Sequence, residues 1–564
     1  MSKFLQNNYI YFLTFIFFTL LWRVFLDESF RGNGIFFQDD LYYYLKIANQ
    51  FWNIGYFSFD GLEKTNGFQP LWQFVLVFLS VFFEGENLIR SSLILNIFLI
   101  ILFFFCSFKL LQRLRLPLLP LYISIFCVIS LPTLGQFLFN GMETALLSFF
   151  IILALNKFCD INDSKFLFSN AFLFGIFSGF SMLSRLDSFI FFIIPYLFLL
   201  IKYKKTFFVS SSSHLLIVVP YLIWIYSDSG SILPISGAVK GIYSTFNNIY
   251  TNPSFNDYLS YSYVAFSDSL PYLKYSSFFA GIHILNILKL NYYIQGLLSL
   301  LNILIFVIPI YLIFVNRVSD KRLVKIIFFS FLSYLIFIIY FYNFYQIGLD
   351  NWTYGFSGFF LLYTGFLVFG FKRIEDAIYY FFKKFNPLLF FLVISLSQVY
   401  PYLSYIDSKK EHITFGGKNN NLYIKASNWA NENLPENSII GAWAAGQLGF
   451  NLKFKTIQLE GLVNSNDFID VLSKKEFHRY TCDKSIDYIF LSALYQNQGS
   501  ENFSTSDLYR KRSAIRTYRG IYLDQIWEYL NLEWVSEENF STNNSLYSSF
   551  FIWSVDKNLC DNLL

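Results

Sequence analysis

The chain has 564 residues, of which 22% are aromatic (Phe 74, Tyr 41, Trp 10) and only 14% are charged, with a formal net charge of +4. A mean hydropathy of +0.45 exceeds what the interior of a soluble fold this long can hide, and the charge falls well below the roughly 25% of a soluble domain. The same numbers exclude a disordered chain and a nucleic-acid-binding one, so no nucleic-acid partner is expected; the bilayer is the solvent that suits this composition.

Taken in chain order, apolar runs long enough to cross about 30 Å of hydrocarbon occupy 9–26, 89–110, 118–134, 144–158, 166–184, 188–203, 207–226, 295–315, 325–345, 353–371 and 387–404, about eleven spans. Tyr9 to Leu26 follows Lys3 without a small-residue cleavage site and reads as a retained anchor. Leu71 to Phe83 reaches only about 20 Å as a helix. Charge decides its placement. With the N-terminus cytoplasmic and 71–83 not spanning, the basic clusters all fall on the cytoplasmic side. These are Lys109, Arg113 and Arg115; Lys157 and Lys165; Lys202, Lys204 and Lys205; Arg317, Lys321, Arg322 and Lys325; and Lys372, Arg373, Lys383 and Lys384. A spanning 71–83 inverts every later loop, so the positive-inside rule makes it an interfacial or re-entrant helix.

Three hydrophilic segments then share the outer face: 27–88, 227–294 and everything after about 405. The first two are loops of a transmembrane domain, residues 1–404. The last, 405–564, mixes alternating stretches (SIIGAWAAGQLGF, KTIQLEGL, SIDYIFLS, SLYSSFFIWSVD) with helix-like ones such as KASNWANENL, and reads as a small extracytoplasmic α/β domain. The fold class is thus a polytopic α-helical membrane protein, with about eleven transmembrane helices, interfacial helices and a C-terminal α/β domain. Five cysteines and four histidines show no metal-ligand spacing. Cys482 and Cys560 could pair if their segment faces an oxidising compartment.

Asp39 and Asp40 stand just beyond the first span, at the head of a stretch that reads as an amphipathic helix running to Trp52. Such a pair either caps the helix or, at a membrane surface roofed by aromatics, supplies a general base of raised pKa. It could also bind a divalent ion, although no further ligand is evident. Glu143 either caps the span that follows or orients a substrate. Arg185 either pairs with Asp187 or meets an anion, and Lys240 is a solvated loop charge or a second such cation.

The run Asp-Asp-x-Tyr-Tyr-Tyr, then Ala48, Gly55 and Thr65-Asn66-Gly67-Phe68-Gln69-Pro70-Leu71-Trp72, resembles the first outer loop of bacterial GT-C glycosyltransferases. Similar stretches follow in order: Gly141-Met142-Glu143-Thr144, Ser184-Arg185-Leu186-Asp187, Leu233 through Lys240, and Leu459-Glu460-Gly461-Leu462-Val463-Asn464. The resemblance covers most of the chain from 37 to about 490. It implies a multi-pass inner-membrane enzyme that takes a sugar from a polyprenyl-phosphate donor and passes it to an extracytoplasmic lipid, glycan or protein. It implies an Asp base, with Asp40 the better match and Asp39 the second candidate. Lys240, Arg185, Glu143, Asp187, Asn66, Gln69, Tyr43 and Tyr44 are then expected to contact the substrates. Many relatives carry a basic residue or a second proline directly before Pro70; Gln69 stands here, so the phosphate contact must come from elsewhere. A transporter or flippase of lipid-linked saccharides is the rival from another class, but it requires midplane polar groups and matching halves. A non-catalytic envelope scaffold is the third reading.

Overall fold

The computed structural model describes residues 39–113, 141–161, 166–242, 419–496, 525–539, 546–556 and 558–561. The apolar runs at 9–26 and 118–134, the four between 295 and 404, and most of the second outer segment lie outside these residues.

Helix α1 (Asp39–Ile54) follows the Asp-Asp pair and stops at Gly55, whose φ of 79° is left-handed. A loop then leads to α2 (Pro70–Ser80), which opens on proline at its first turn, where the missing N–H costs nothing. The pair is bound edge to edge. The Trp52 indole N–H donates to the Val77 carbonyl at 3.1 Å and the Ser80 hydroxyl at 3.0 Å, and Gln73 Nε2 donates to the Tyr44 carbonyl at 3.1 Å. Trp72 and Leu76 of α2 are buried, whereas Phe74 and Phe78 are exposed, as are Val81, Phe82 and Phe83 beyond its end. An 11-residue helix with one apolar face bare is too short to span and suited to an interface.

The spans expected at 89–110, 144–158, 166–184, 188–203 and 207–226 fall on α3 (Gly85–Arg113), α4 (Thr144–Cys159), α5 (Phe168–Ser184), α6 (Phe189–Lys202) and α7 (Lys204–Ser229). Two stretches among the described residues, Gly85–Leu110 and Lys204–Ser229, are long and apolar enough to cross a membrane. The bundle packs through small residues. A Cβ on Gly175 of α5 would stand 2.1 Å from the Ser210 carbonyl of α7, so backbone meets backbone there, as in membrane helix pairs generally. A 3-10 turn (Leu186–Ser188) joins α5 to α6, and α8 (Ile235–Ile242) follows α7.

The C-terminal domain runs α9 (Asn419–Asn433), β1 (Ile439–Ala442), α10 (Ala445–Asn451), β2 (Lys455–Gln458), α11 (Phe468–Lys474), α12 (Phe477–Asp483), β3 (Tyr488–Gln496), β4 (Leu530–Asn539), β5 (Leu546–Val555) and α13 (Asn558–Asp561). Its sheet has the order β2-β1-β3-β5-β4, parallel across the first three strands and antiparallel beyond. The alternation read through Ser438–Phe450 divides in two. The strand ends at Ala442, Ala444 turns the chain at φ 48°, and the small residues after it form α10. Strand β4 was not anticipated; its LNLEWVSEEN, with three glutamates in ten residues, sits at the sheet edge, where charge discourages further pairing. Cys482 and Cys560 form a disulfide that ties α12 to α13, with Cα atoms 5.5 Å apart.

Two buried apolar clusters cross between the bundle and this domain. One joins Tyr42 and Leu45 of α1 to Ala445 and Leu448 of α10. The other joins Ile235 and Val239 of α8 to Ile457, Leu459 and Phe468. The C-terminal domain is therefore seated on the bundle rather than tethered beside it.

Candidate active site

The motif pieces that lie far apart in the chain meet around one cavity of about 380 Å³. Its charged lining, among the described residues, consists of Asp40 from α1, Glu143 from the head of α4, and Arg185 and Asp187 from the α5–α6 turn. The walls are apolar: Phe68, Met182, Phe189, Leu222, Leu233 and Leu462 among them. Leu233 and Phe189 are also exposed, which gives the cavity a greasy mouth above a charged floor.

Local chemistry explains each placement. Trp72 of α2 donates its indole N–H to the Gly141 carbonyl at 3.0 Å, fixing the loop that presents Glu143. The Glu143 side chain makes no cap on α4, which corrects the capping reading. Instead its Oε1 accepts from Arg185 at 3.0 Å and its Oε2 from the Tyr44 hydroxyl at 3.3 Å. Arg185 in extended conformation ends α5 and grips Asp187 with two N–H groups, at 2.8 and 3.2 Å. The arginine thus pairs with both acids and not with Asp187 alone. Glu143 and Arg185 are almost fully buried, 1% and 7% exposed. Burial pushes the Glu143 carboxyl up and Arg185 pulls it back part of the way. Burial works against the Arg185 charge, but Asp187 and Glu143 outweigh it and hold the guanidinium above its ordinary range. Burial likewise lifts the Tyr44 hydroxyl, with Glu143 and Asp40 adding to it, so Tyr44 remains a hydrogen-bond donor.

Gln69, the residue that departs from the family pattern, has a positioning task. Its Oε1 accepts the Leu186 N–H at 3.1 Å, anchoring the turn that carries Arg185 and Asp187, and its own N–H donates to the Tyr44 hydroxyl oxygen at 3.3 Å. Asn66 is buried away from the lining. Its Nδ2 reaches Ser229, Ser231 and Leu233, and its Oδ1 accepts the Ile235 N–H at 2.9 Å, so it pins the end of α7 to the start of α8. Ser236 and Gly237 of α8 line the cavity. Lys240 lies on the same helix; its side chain falls outside the described residues.

The two aspartates part company. Asp40 lines the cavity. Asp39 turns to the C-terminal domain and accepts from Gly446 N–H at 2.9 Å and Gln447 N–H at 2.8 Å. Burial raises the Asp39 carboxyl to about 6, against the pull of those two donors and of the Tyr43 hydroxyl. Tyr43 in turn accepts from Ala445 N–H at 3.0 Å. With both Asp39 oxygens occupied, Asp40 is the member of the pair left to face a ligand. Among the described residues no group of three or more His, Cys, Asp or Glu is placed to hold a metal ion. Leu462 and Val463 of the Leu459–Asn464 motif piece reach the cavity lining, although they were not among the expected contacts. Sequence reasoning missed Ala445 and Gln447 as partners of Tyr43 and Asp39, because the small residues of AAGQLG carry no charge to flag them.

No family model matches the chain, and no curated protein matches it. Among solved structures it is similar to the oligosaccharyltransferase of Archaeoglobus fulgidus in complex with zinc and sulfate, at 15% identity and a TM-score of 0.46, over 85% of this chain and 67% of that one. It is also similar to ArnT from Cupriavidus metallidurans bound to undecaprenyl phosphate, at 11% identity and a TM-score of 0.41, over 98% of this chain and 99% of that one. The apo state of that ArnT gives 10% identity and a TM-score of 0.36, over 92% and 94%. Both are GT-C glycosyltransferases.

Proposed function

We propose that the chain is a GT-C-type membrane glycosyltransferase that moves a sugar from a polyprenyl-phosphate donor to an extracytoplasmic acceptor, with Asp40 as general base. The observation that carries this reading is the cavity itself. The Asp40 carboxylate shares the cavity with a fixed Tyr44–Glu143–Arg185–Asp187 network and with exposed apolar side chains. A lipid-linked sugar phosphate has this two-sided character: an apolar tail and a polar, reactive head.

The reaction follows from these parts. Asp40 takes the proton of the acceptor hydroxyl as that oxygen attacks the anomeric carbon. The bond from anomeric carbon to phosphate oxygen breaks on the opposite face, the polyprenyl phosphate leaves with the electron pair, and the configuration inverts. Three acids line the cavity against one arginine, and that arginine is already paired twice. The departing phosphate therefore needs a further cation, and Lys240, one helical turn on from Ser236, is the residue assigned to it. A divalent ion bound at Asp40 would supply the same charge.

The Cys482–Cys560 disulfide favours an oxidising compartment for the C-terminal domain, in keeping with a multi-pass inner-membrane protein whose N-terminus is cytoplasmic. The bare apolar face of α2 favours contact with membrane lipid at that same surface. Purified protein supplied with polyprenyl-phosphate sugars tests the assignment: Asp40→Asn is expected to lose at least about a hundredfold in transfer rate, and undiminished transfer by that variant removes Asp40 as the base.

A further inference from the structure

Asp39 and Asp40 are joined by one peptide bond yet serve two different bodies. The first N–H groups of a helix find no partner within it. In α10 they are met from α1: Ala445 by the Tyr43 hydroxyl, Gly446 and Gln447 by the two Asp39 oxygens. The residue before α10, Ala444, is left-handed and supplies no side-chain cap of its own. The approach leaves no slack, since a Cβ on Gly446 would stand 2.1 Å from the Asp39 carbonyl oxygen.

The same domain also reaches the cavity. Leu462 and Val463, just after β2, line it, and a Cβ on Gly67 would stand 2.0 Å from the Leu462 carbonyl oxygen. Between these two contacts lies a stiff unit. β1 leads into α10, α10 into β2, and β1 and β2 pair in parallel from Ile439↔Lys455 to Ala442↔Gln458. A displacement of α10 therefore carries Leu462 and Val463 with it.

We propose that the Asp39 grip on α10 is an interdomain latch, and that Asp39 is a positioning residue which, through α10 and β2, holds Leu462 and Val463 in the wall of the cavity that Asp40 also lines. A wall that touches substrate equally before and during reaction sets binding rather than the chemical step. The latch therefore governs how tightly the lipid-linked sugar or its acceptor is held, a role that rests on the glycosyl-transfer reading above but is measurable without it.

The test uses the full chain in lipid nanodiscs. Ser465 donates to the Glu63 carboxylate at 2.7 Å across the same domain boundary, and neither residue lines the cavity. A Glu63→Cys, Ser465→Cys pair thus reports docking by its cross-linking yield. Added to that background, Asp39→Ala and Gly446→Ala are each expected to lower the yield and to raise the KM for a polyprenyl-phosphate sugar about tenfold, with kcat changed by less than about threefold. The double variant is expected to be no worse than the weaker single one, because both break one contact. Asp39→Asn, which keeps one acceptor oxygen, should fall between parent and Asp39→Ala. An Asp39→Ala protein that cross-links at the parental yield but loses kcat as Asp40→Asn does would overturn the proposal, as would lost cross-linking with parental KM. If the parent transfers no sugar at all, the function reading fails while the cross-linking yields still decide the latch.

Discussion

Burial decides the ionisation of single side chains along α1, and the consequences are measurable as a function of pH. Lys46 Nζ is buried without a hydrogen-bond partner among the described residues, 4.7 Å from the centre of the Phe59 ring. Burial pulls the amine down to about 7, against a smaller opposing pull from Asp60. The unfolded lysine titrates near about 10.4. Between these values the folded chain binds fewer protons than the unfolded one, so stability rises with pH across that window and is flat below it, with a slope of at most about 1.4 kcal/mol per pH unit. Lys46→Met is expected to melt higher than the parent at pH 7, with the gap closing toward pH 10 in thermal unfolding scans. Asp39 has the opposite sign. Its carboxyl is raised to about 6 from 3.8, so the stability linked to it is full below the lower value and is lost as pH rises to the upper one. At Glu143 the issue is pairing. Glu143→Gln removes one of the two carboxylates paired with the buried Arg185, and a cost of about 3 kcal/mol is expected in denaturant unfolding, accompanied by slower transfer.

Elements are held in register by a few polar staples, and these were the least legible part of the sequence. Asn66 spends four hydrogen bonds on the α7–α8 connection, so Asn66→Ala should cost about 3 kcal/mol by unfolding and loosen α8, where Lys240 stands. As a motif residue it was expected to touch substrate; its geometry instead makes it a splint. Gln69 looked like a missing phosphate ligand, because its partner, the Leu186 N–H, lies 117 positions away and leaves no trace in the local pattern. The helices themselves were legible. The apolar runs at 89–110, 144–158 and 207–226 sit inside α3, α4 and α7, since a bilayer demands continuous apolar length and little else. The strand–helix change inside SIIGAWAAGQLGF was not, because small residues alternate equally well with either period.

At the scale of the whole molecule, the sheet domain depends on a covalent tie and on its seat. Cys482 and Cys560 are separated by 78 positions, and closing such a loop restricts the unfolded chain by about 4 kcal/mol in the entropic account. Cys482→Ser is therefore expected to lower the melting temperature of the C-terminal domain, and added reductant should reproduce the loss in the parent but leave the variant unchanged. The order of the motif pieces along the chain was legible in the sequence. Their convergence on one cavity was not, because it depends on α8 burying Ile235 and Val239 against Leu459 and Phe468, a match of surfaces that no single segment encodes.

The near-contact of Gly67 with the Leu462 carbonyl has a consequence for biogenesis. A chain made from its N-terminus completes α1 through α8 long before residue 462 leaves the ribosome. Throughout that interval the Asp40 cavity lacks Leu462 and Val463 from its lining, and the α1 face that receives α10 is uncovered. The nascent chain thus carries an incomplete cavity, and under the proposed function the docking of its last third is what completes the site.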